Sequence, residues 1–368
     1  MWDIHSKGML PEILYLELTK ISISVTSLLI LLLLTFKPSR KFKHYGYRIT
    51  LRNVIIALIA VTIVNILELF DEYGIANFRF IIFMTLSVST LQIFLFASTI
   101  FSMLDVQYYT KKRIWLEITP SLLFIAVGAF IYHFSTHQNL LIFFYFFSLF
   151  FVVQIIRYTI QFKKTEKETI NKLDNFFSEE ISKSLSWTRA AFAGLLTCCL
   201  LSLVSLVQNS IFSLLFTVYY TGYYVYFVLH YLNYINLFQD MEPALKTANE
   251  STLNQKNIYR SFDQMEEAIQ KWEEQKFYLE PGITIEQVST QLNTNRTYLS
   301  NHMNVYCKKT FKEWINELRI EEAKRLLKNC PNLPVSQIGV QVGIPDKSNF
   351  GRQFSRVTNM SPQKWRKI

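Results

Sequence analysis

Seven segments of this chain are long and apolar enough to cross a lipid bilayer, and they constrain its fold more than any other feature. Crossing the hydrocarbon core takes about 20 mostly apolar residues in a helix. The segments run near Ile13–Phe36, Val54–Phe70, Phe80–Leu104, Trp115–Phe134, Leu140–Ile160, Ala190–Gln208 and Ile211–Leu232. The sequence therefore predicts an N-terminal transmembrane domain over residues 1–232, built as a bundle of about seven helices.

The distribution of Lys and Arg between these segments tests the number of spans independently. The loops after the first, third and fifth segments are basic, whereas the second loop carries Asp71 and Glu72 and the fourth and sixth have no Lys or Arg. By the positive-inside rule, the odd loops and the C-terminus are cytoplasmic and the N-terminus is outside. We therefore predict a multi-pass protein of the inner (cytoplasmic) membrane.

The boundary between the sixth and seventh segments leaves an alternative open. Only Asn209 and Ser210 separate them, so one long bent helix and six spans would also fit the hydropathy. That helix would be roughly twice as long as one crossing needs, and six spans would place the C-terminus outside. The charge pattern favours seven spans and a tight turn at Gln208-Asn209-Ser210.

Two features of the membrane half could carry a signal. Residues 171–181 have apolar residues spaced for an amphipathic helix, which would lie on the lipid surface or else touch a soluble domain and pass a signal to it. Polar residues within the spans could bind a ligand or a proton, although Glu68 and Glu117 lie near span ends, where water can reach them. These residues are Asn65, Glu68, Gln92, Glu117, Gln154 and His230.

The composition becomes polar after the last segment. Residues 233–260 are predicted to be a linker, and residues 261–368 a soluble all-α domain. That domain begins with a helix that Ser261 would cap and that would continue to Pro281-Gly282.

The soluble domain contains two short units of helix, turn and helix. In the first, Thr284 and Gln287 predict a capping box for a helix that ends near Leu292, and a second helix runs from Arg296 to Met303. The predicted core of this unit is Val288, Leu292, Leu299 and Met303. The opposite face of its second helix presents Arg296, Thr297, Ser300 and Asn301, which could reach base edges in a major groove.

A long helix from Phe311 to Leu327 is predicted to join the first unit to the second. In the second unit, Ser336 is the expected cap of the first helix. The second helix runs from Lys347 to Val357, with Phe350, Phe354 and Val357 facing the core. The side chains expected to face outward, toward DNA, are Lys347, Ser348, Asn349, Arg352 and Arg356.

This second unit resembles a known family of regulators. The run from Val342 to Phe354 and the run Met360-Ser361-Pro362-Gln363-Lys364-Trp365-Arg366 are similar to the two parts of the AraC/XylS signature, although Gly339, Ile344 and Asn359 depart from it. The resemblance covers the C-terminal domain alone. It implies a DNA-binding domain with two recognition helices in successive major grooves, roughly 34 Å apart.

The charge of the soluble domain agrees with that implication. The whole chain has a net charge of +10, and residues 281–368 contain 14 Lys and Arg against six Asp and Glu. Such a surplus suits several phosphate contacts. The sequence contains no phosphate-binding loop, nucleophile motif or cluster of metal ligands, so we expect no enzyme, no metal and no cofactor.

The sequence thus predicts a membrane-anchored, sequence-specific DNA-binding transcription regulator whose membrane domain senses a signal. The alternative is a membrane scaffold whose helix-turn-helix domain binds proteins. The expected partners are double-stranded DNA and membrane lipid, with an unidentified signal ligand and a second copy of the chain (a homodimer) as further candidates.

Overall fold

A computed structural model describes residues 4–36, 45–72, 78–105, 108, 110–134, 137–179, 185–204, 210–246 and 262–368. Several expectations lie outside the described residues. They are the basic cluster at positions 37–43, the turn at Gln208 and Asn209, the cap at Ser261 and residues 247–260 of the linker. The described part is helical throughout, and its one β-type pairing is an isolated antiparallel bridge between Phe177 and Thr284.

The described residues form fourteen α-helices, which confirms the predicted all-α class. The first seven are α1 (Ile4–Thr35), α2 (Tyr45–Glu72), α3 (Phe78–Leu104), α4 (Lys111–Phe134), α5 (His137–Asp174), α6 (Ser186–Val204) and α7 (Ser210–Lys246). The others are α8 (Phe262–Glu274), α9 (Ile285–Gln291), α10 (Arg296–Asn301), α11 (Phe311–Asn329), α12 (Val335–Gln341), α13 (Lys347–Thr358) and α14 (Pro362–Arg366). By length and composition, α1 to α7 each contain a stretch that could cross a membrane.

The chain divides into two compact units. Unit 1 contains Met1–Glu166 and Ser186–Glu242, and unit 2 contains Lys167–Leu185 and Pro243–Ile368. The segment between α5 and α6 therefore belongs to the same unit as the C-terminal domain, although α6 and α7 lie between the two in sequence. The domain boundaries at 232 and 260 stay a prediction.

Within unit 1, the polar residues of the predicted spans bond to other helices. Tyr220 of α7 donates to Asn65 Oδ1 of α2 at 2.9 Å, and Asn65 Nδ2 donates to Ser22 of α1 at 3.1 Å. Tyr15 donates to Glu68 at 2.7 Å, and Tyr224 donates to Gln92 at 2.9 Å. These bonds join α1, α2, α3 and α7, as expected where water cannot satisfy polar groups.

The segment from 171 to 181 differs from the helix that its apolar spacing suggested. Only Asn171–Asp174 are helical, as the last turn of α5, and residues 175–179 form a turn and the bridge to Thr284. The predicted amphipathic helix is therefore wrong for 175–179, while Glu180 and Ile181 are not described. Phe176 and Ser178 are buried, because this stretch pairs with other residues of unit 2.

The first helix of the C-terminal domain is shorter than predicted. It ends at Glu274 instead of continuing to Pro281-Gly282. Lys276 then adopts a left-handed conformation (φ 57°), and residues Phe277–Leu279 form a 3₁₀ turn. A left-handed residue cannot continue an α-helix, so the chain changes direction before the proline is reached.

Candidate nucleic-acid interface

The first helix-turn-helix unit forms as its capping residues dictate. The Thr284 side chain accepts a hydrogen bond from the Gln287 backbone N–H, and the Gln287 side chain accepts one from the Thr284 N–H, which confirms the capping box. Asn295 caps α10 by accepting from Tyr298 N at 2.8 Å. Val288, Leu292, Leu299 and Met303 are all buried, as predicted.

The recognition helix of this first unit is shorter than expected. α10 ends at Asn301, and the next turn, His302–Tyr306, widens into a π-helix. The four residues predicted to face DNA are half-buried: Arg296, Thr297, Ser300 and Asn301. The first unit therefore presents its DNA-facing side chains only in part.

The second unit is built on a separate apolar core. Ile338 and Val342 of α12 pack with Phe350 and Phe354 of α13, and Val357 lies partly buried against them. Asp346 caps α13 by accepting from Asn349 N at 2.5 Å. The predicted cap at Ser336 is wrong, because α12 begins one residue earlier, at Val335, after Pro334 in the N-cap position.

The residues of the second helix-turn-helix unit that are predicted to face DNA are more exposed than those of the first. Lys347, Ser348, Arg352 and Arg356 are exposed, and Asn349 is half-buried. Because all five lie along one 12-residue helix with its apolar residues buried, their exposed side chains occupy the face of α13 that is turned away from the core. This arrangement suits insertion of α13 into a major groove.

Two of these side chains are already held by polar neighbours. Arg352 lies 3.5 Å from Asn349 Oδ1, and Arg356 lies 3.3 Å from Glu313 Oε1, the capping-box residue of α11. Hydrogen bonds from Thr310, and then the Arg356 charge, keep the pKa of Glu313 below its usual value. Arg356 therefore joins α13 to α11 in the DNA-free chain, and a phosphate would have to compete with Glu313 for it.

Arg319 in α11 has a structural role. Its side chain is 1% exposed. The guanidinium donates to the carbonyl oxygens of Tyr278 at 2.7 Å and Glu280 at 2.6 Å. Burial lowers the pKa of Arg319 to about 10, and nearby Glu179 opposes that shift. The side chain stays charged at neutral pH and fixes the chain that leads into the first unit.

Gly343 lies against the same guanidinium. It has a φ of +79°, and a Cβ there would come within 2.5 Å of the Leu279 carbonyl oxygen and 3.1 Å of the Arg319 guanidinium. The turn between α12 and α13 thus approaches Arg319 closely because residue 343 lacks a side chain. Arg319 therefore connects the second helix-turn-helix unit to residues 278–280, which precede the first helix-turn-helix unit.

Asp174, the last residue of α5, and Phe176, which follows it, also contact this domain, and only the predicted contact of residues 171–181 with a soluble domain pointed to them. The Arg296 guanidinium carbon lies 5.0 Å from the centre of the Phe176 ring. Lys312, which is 7% exposed, donates to Asp174 Oδ1 at 2.9 Å. The described residues contain no group of three or more His, Cys, Asp or Glu that could hold a metal ion.

Comparison with known proteins assigns the C-terminal part. Residues 288–368 match a family model described as a helix-turn-helix domain. The chain is 29% identical over 86 residues to the Msm operon regulatory protein of Streptococcus mutans, which is 23% of this chain and 31% of that protein. It is 28% identical over 90 residues to the HTH-type transcriptional activator RhaR of Salmonella dublin, which is 24% and 32%.

A third relative and one solved structure are also similar to part of this chain. The HTH-type transcriptional regulator YisR of Bacillus subtilis is 33% identical over 85 residues, which is 23% of this chain and 29% of that protein. The solved C-terminal domain of AraT, a response regulator from Geobacillus stearothermophilus, is 26% identical with a TM-score of 0.26, covering 28% of this chain and 84% of that chain. The chain spans about a third of the length of these curated relatives.

Proposed function

We propose that this chain, whose residues 288–368 are an AraC-type helix-turn-helix domain, is a membrane-anchored transcription regulator that binds specific DNA sequences. The observation that carries the proposal is the exposed polar and basic face of α13, which projects from a buried core. Arg and Asn on such a helix can form bidentate hydrogen bonds with guanine and adenine. The names of the similar proteins, which describe a transcriptional activator and a transcriptional regulator, support the same activity.

The nine predicted residues have two different roles in this proposal. Those of α13, with Arg352 foremost, select bases in one major groove. Those of α10 contact the next groove. The basic surplus of residues 281–368 supplies the phosphate contacts that fix the domain on the duplex.

The test is selection of duplexes from a randomised pool by the purified full chain in detergent, at two salt concentrations. We expect enrichment of one consensus, and affinity that falls steeply as salt rises, because each phosphate contact releases counterions. Binding that is absent or indifferent to salt would contradict the proposal and favour a scaffold that recognises proteins.

The membrane arrangement forms the second part of the proposal. Seven apolar helices and basic odd-numbered loops support a multi-pass protein of the cytoplasmic membrane, with the N-terminus outside and the DNA-binding domain in the cytoplasm. A signal received by residues 1–232 would then alter DNA binding across the linker at 233–260, in a domain that begins near residue 261.

Thiol labelling tests this topology, because Cys307 is exposed in the C-terminal domain. In a Cys330→Ser chain, we expect a membrane-impermeant maleimide to label Cys307 in lysed spheroplasts and to leave it unlabelled in intact ones. Thr136→Cys, in the fourth predicted loop of a Cys307→Ser, Cys330→Ser chain, is the matched position. It should be labelled in intact spheroplasts, and the opposite pattern would overturn the arrangement.

A further inference from the structure

The segment that follows α5 is paired with the backbone that leads into the first helix-turn-helix unit. The Ile285 N–H donates to the Phe176 carbonyl oxygen at 3.0 Å, and the Ser178 N–H donates to the Ile283 carbonyl oxygen at 3.3 Å. Phe177 and Thr284 lie opposite each other in an antiparallel bridge between these bonds. All of these residues belong to unit 2. We call residues 174–178 the loop clamp.

Side chains of the loop clamp reinforce the backbone pairing at two points. Phe176, which is 4% exposed, lies under the guanidinium of Arg296, in the range of a cation–π contact. Asp174 pairs with Lys312, whose charge is largely withdrawn from water and needs a counter-charge there. The clamp therefore holds one cation at the start of α10 and another at the start of α11.

The position of Arg296 gives these contacts a functional meaning. Arg296 is the first residue of α10, and the N-terminal residues of a recognition helix are the ones that contact base edges. Arg296, which has the Phe176 ring against it, is half-buried. Arg352 of α13, by contrast, is exposed. The clamp therefore covers part of the side chain that would contact DNA at the N-terminal end of α10.

The charge of the segment opposes DNA in the same place. Asp174 lies beside Lys312, and Glu179 lies beside Gly282, where a Cβ would be 3.6 Å from its carboxylate. Carboxylates at this position repel phosphates, and Asp174 neutralises the charge of Lys312. Steric cover and charge thus act in the same direction.

We propose that the loop clamp is a cis-acting inhibitor of the first helix-turn-helix unit: while it is docked, the chain can engage DNA through α13 alone. This inference rests on the proposed function. The clamp continues directly from α5, which runs unbroken from His137 to Asp174 and contains the fifth candidate span. A change in that span therefore reaches the clamp through one continuous helix, and undocking adds Arg296 and the rest of α10 to the DNA contacts.

Locking the clamp with a disulfide tests the inference. Because the two backbone bonds flank Phe177 and Thr284, these residues form a non-hydrogen-bonded pair with Cα atoms about 4.5 Å apart, within reach of a disulfide. The variant is Phe177→Cys, Thr284→Cys in full-length protein that also carries Cys307→Ser and Cys330→Ser. DNA affinity is measured on a duplex selected by the wild-type chain, before and after oxidation with copper phenanthroline.

We expect the oxidised chain to bind at least tenfold more weakly than the same chain after reduction, because a locked clamp removes the open state that binds with both units. The reduced chain serves as its own folding control, and the two single-cysteine variants should not respond to oxidation. Equal or tighter binding by the oxidised chain would overturn the inhibitor and make the clamp a support for DNA binding.

Variants that weaken the docking of the loop clamp test the inference in the opposite direction. Asp174→Asn and Phe176→Ala should each tighten binding by about three- to tenfold, the size of a weakened ion pair or cation–π contact. Phe277→Ala, an exposed phenylalanine of the 3₁₀ turn, is the matched control and should change nothing. If the wild-type chain binds a consensus duplex, and neither the disulfide nor the weakening variants change its affinity, then only the inhibitory role of the loop clamp is wrong. If no form binds DNA, released variants included, the proposed function fails with it.

Discussion

Replacing Arg352 with alanine is expected to lower the affinity of the full chain for its selected duplex by ten- to a hundredfold. Arg352 is exposed on α13, and its hydrogen bond to Asn349 Oδ1 is long, at 3.5 Å. A bidentate bond between arginine and guanine contributes about 1–3 kcal/mol of discrimination. Each 1.4 kcal/mol corresponds to about a tenfold change in the dissociation constant.

Fluorescence anisotropy with the consensus duplex and with single-base variants measures this loss. Arg325→Ala is the matched control, because Arg325 is also exposed but is held by Glu322 in a two-bond pair on α11. Arg352→Ala should relax the preference at one base pair, whereas loss of a phosphate contact would weaken all sequences alike. Equal loss of affinity for all duplexes would mean that Arg352 contacts the DNA phosphates instead of a base. Equal effects of Arg352→Ala and Arg325→Ala would mean that α13 does not carry the DNA-facing residues.

Replacing Arg319 with methionine is expected to destabilise the C-terminal domain by about 2–4 kcal/mol, because breaking a buried hydrogen-bonded charge leaves its partners unsatisfied. The carbonyl oxygens of Tyr278 and Glu280 would lose their donors, and the space beside Gly343 would be filled differently. The loss outweighs the relief of a buried charge, since two backbone acceptors depend on this one side chain.

Hydrogen exchange of the full chain, followed by peptides that cover residues 277–285 and 338–345, measures this change locally. We expect exchange in both stretches to accelerate by roughly 30-fold or more, as a loss of 2 kcal/mol implies. Arg325→Ala should accelerate exchange little, because Arg325 itself is exposed and Glu322 keeps its ion pair with Lys276. Unchanged protection in Arg319→Met would mean that relief of the buried charge compensates for the two lost bonds.

Sequence reasoning predicted best what depends on neighbouring residues. The Thr284–Gln287 capping box forms as expected, since both partners lie within one helical turn. Ser336 was wrongly chosen as a cap because serine favours that position, yet the chain turns at Pro334 and includes Ser336 in the helix. Helix edges depend on such small differences in local geometry, while the apolar periods that define the helices persist.

Contacts between distant residues were much harder to predict. The apolar spacing of residues 171–181 predicts an amphipathic helix. The prediction fails for 175–179 because the spacing in so short a stretch fits more than one structure. Its burial depends on bonds to Ile283 and Ile285, more than 100 residues later, and no local pattern encodes that pairing. The buried state of Arg319 likewise depends on carbonyl groups some 40 residues away.

The pairing of Phe176 and Ser178 with Ile283 and Ile285 has a consequence for how such a domain could be set free. A protease that cuts between α7 and α8 would break the covalent bond to residues 1–246, but the severed piece would still hold residues 174–178, which stay attached to α5. Release of the domain would then require two separate events. One is cleavage between α7 and α8, and the other is dissociation from residues 174–178. In the proposed membrane arrangement, a cut made while the loop clamp is docked would leave the fragment held by residues that are still attached to α5.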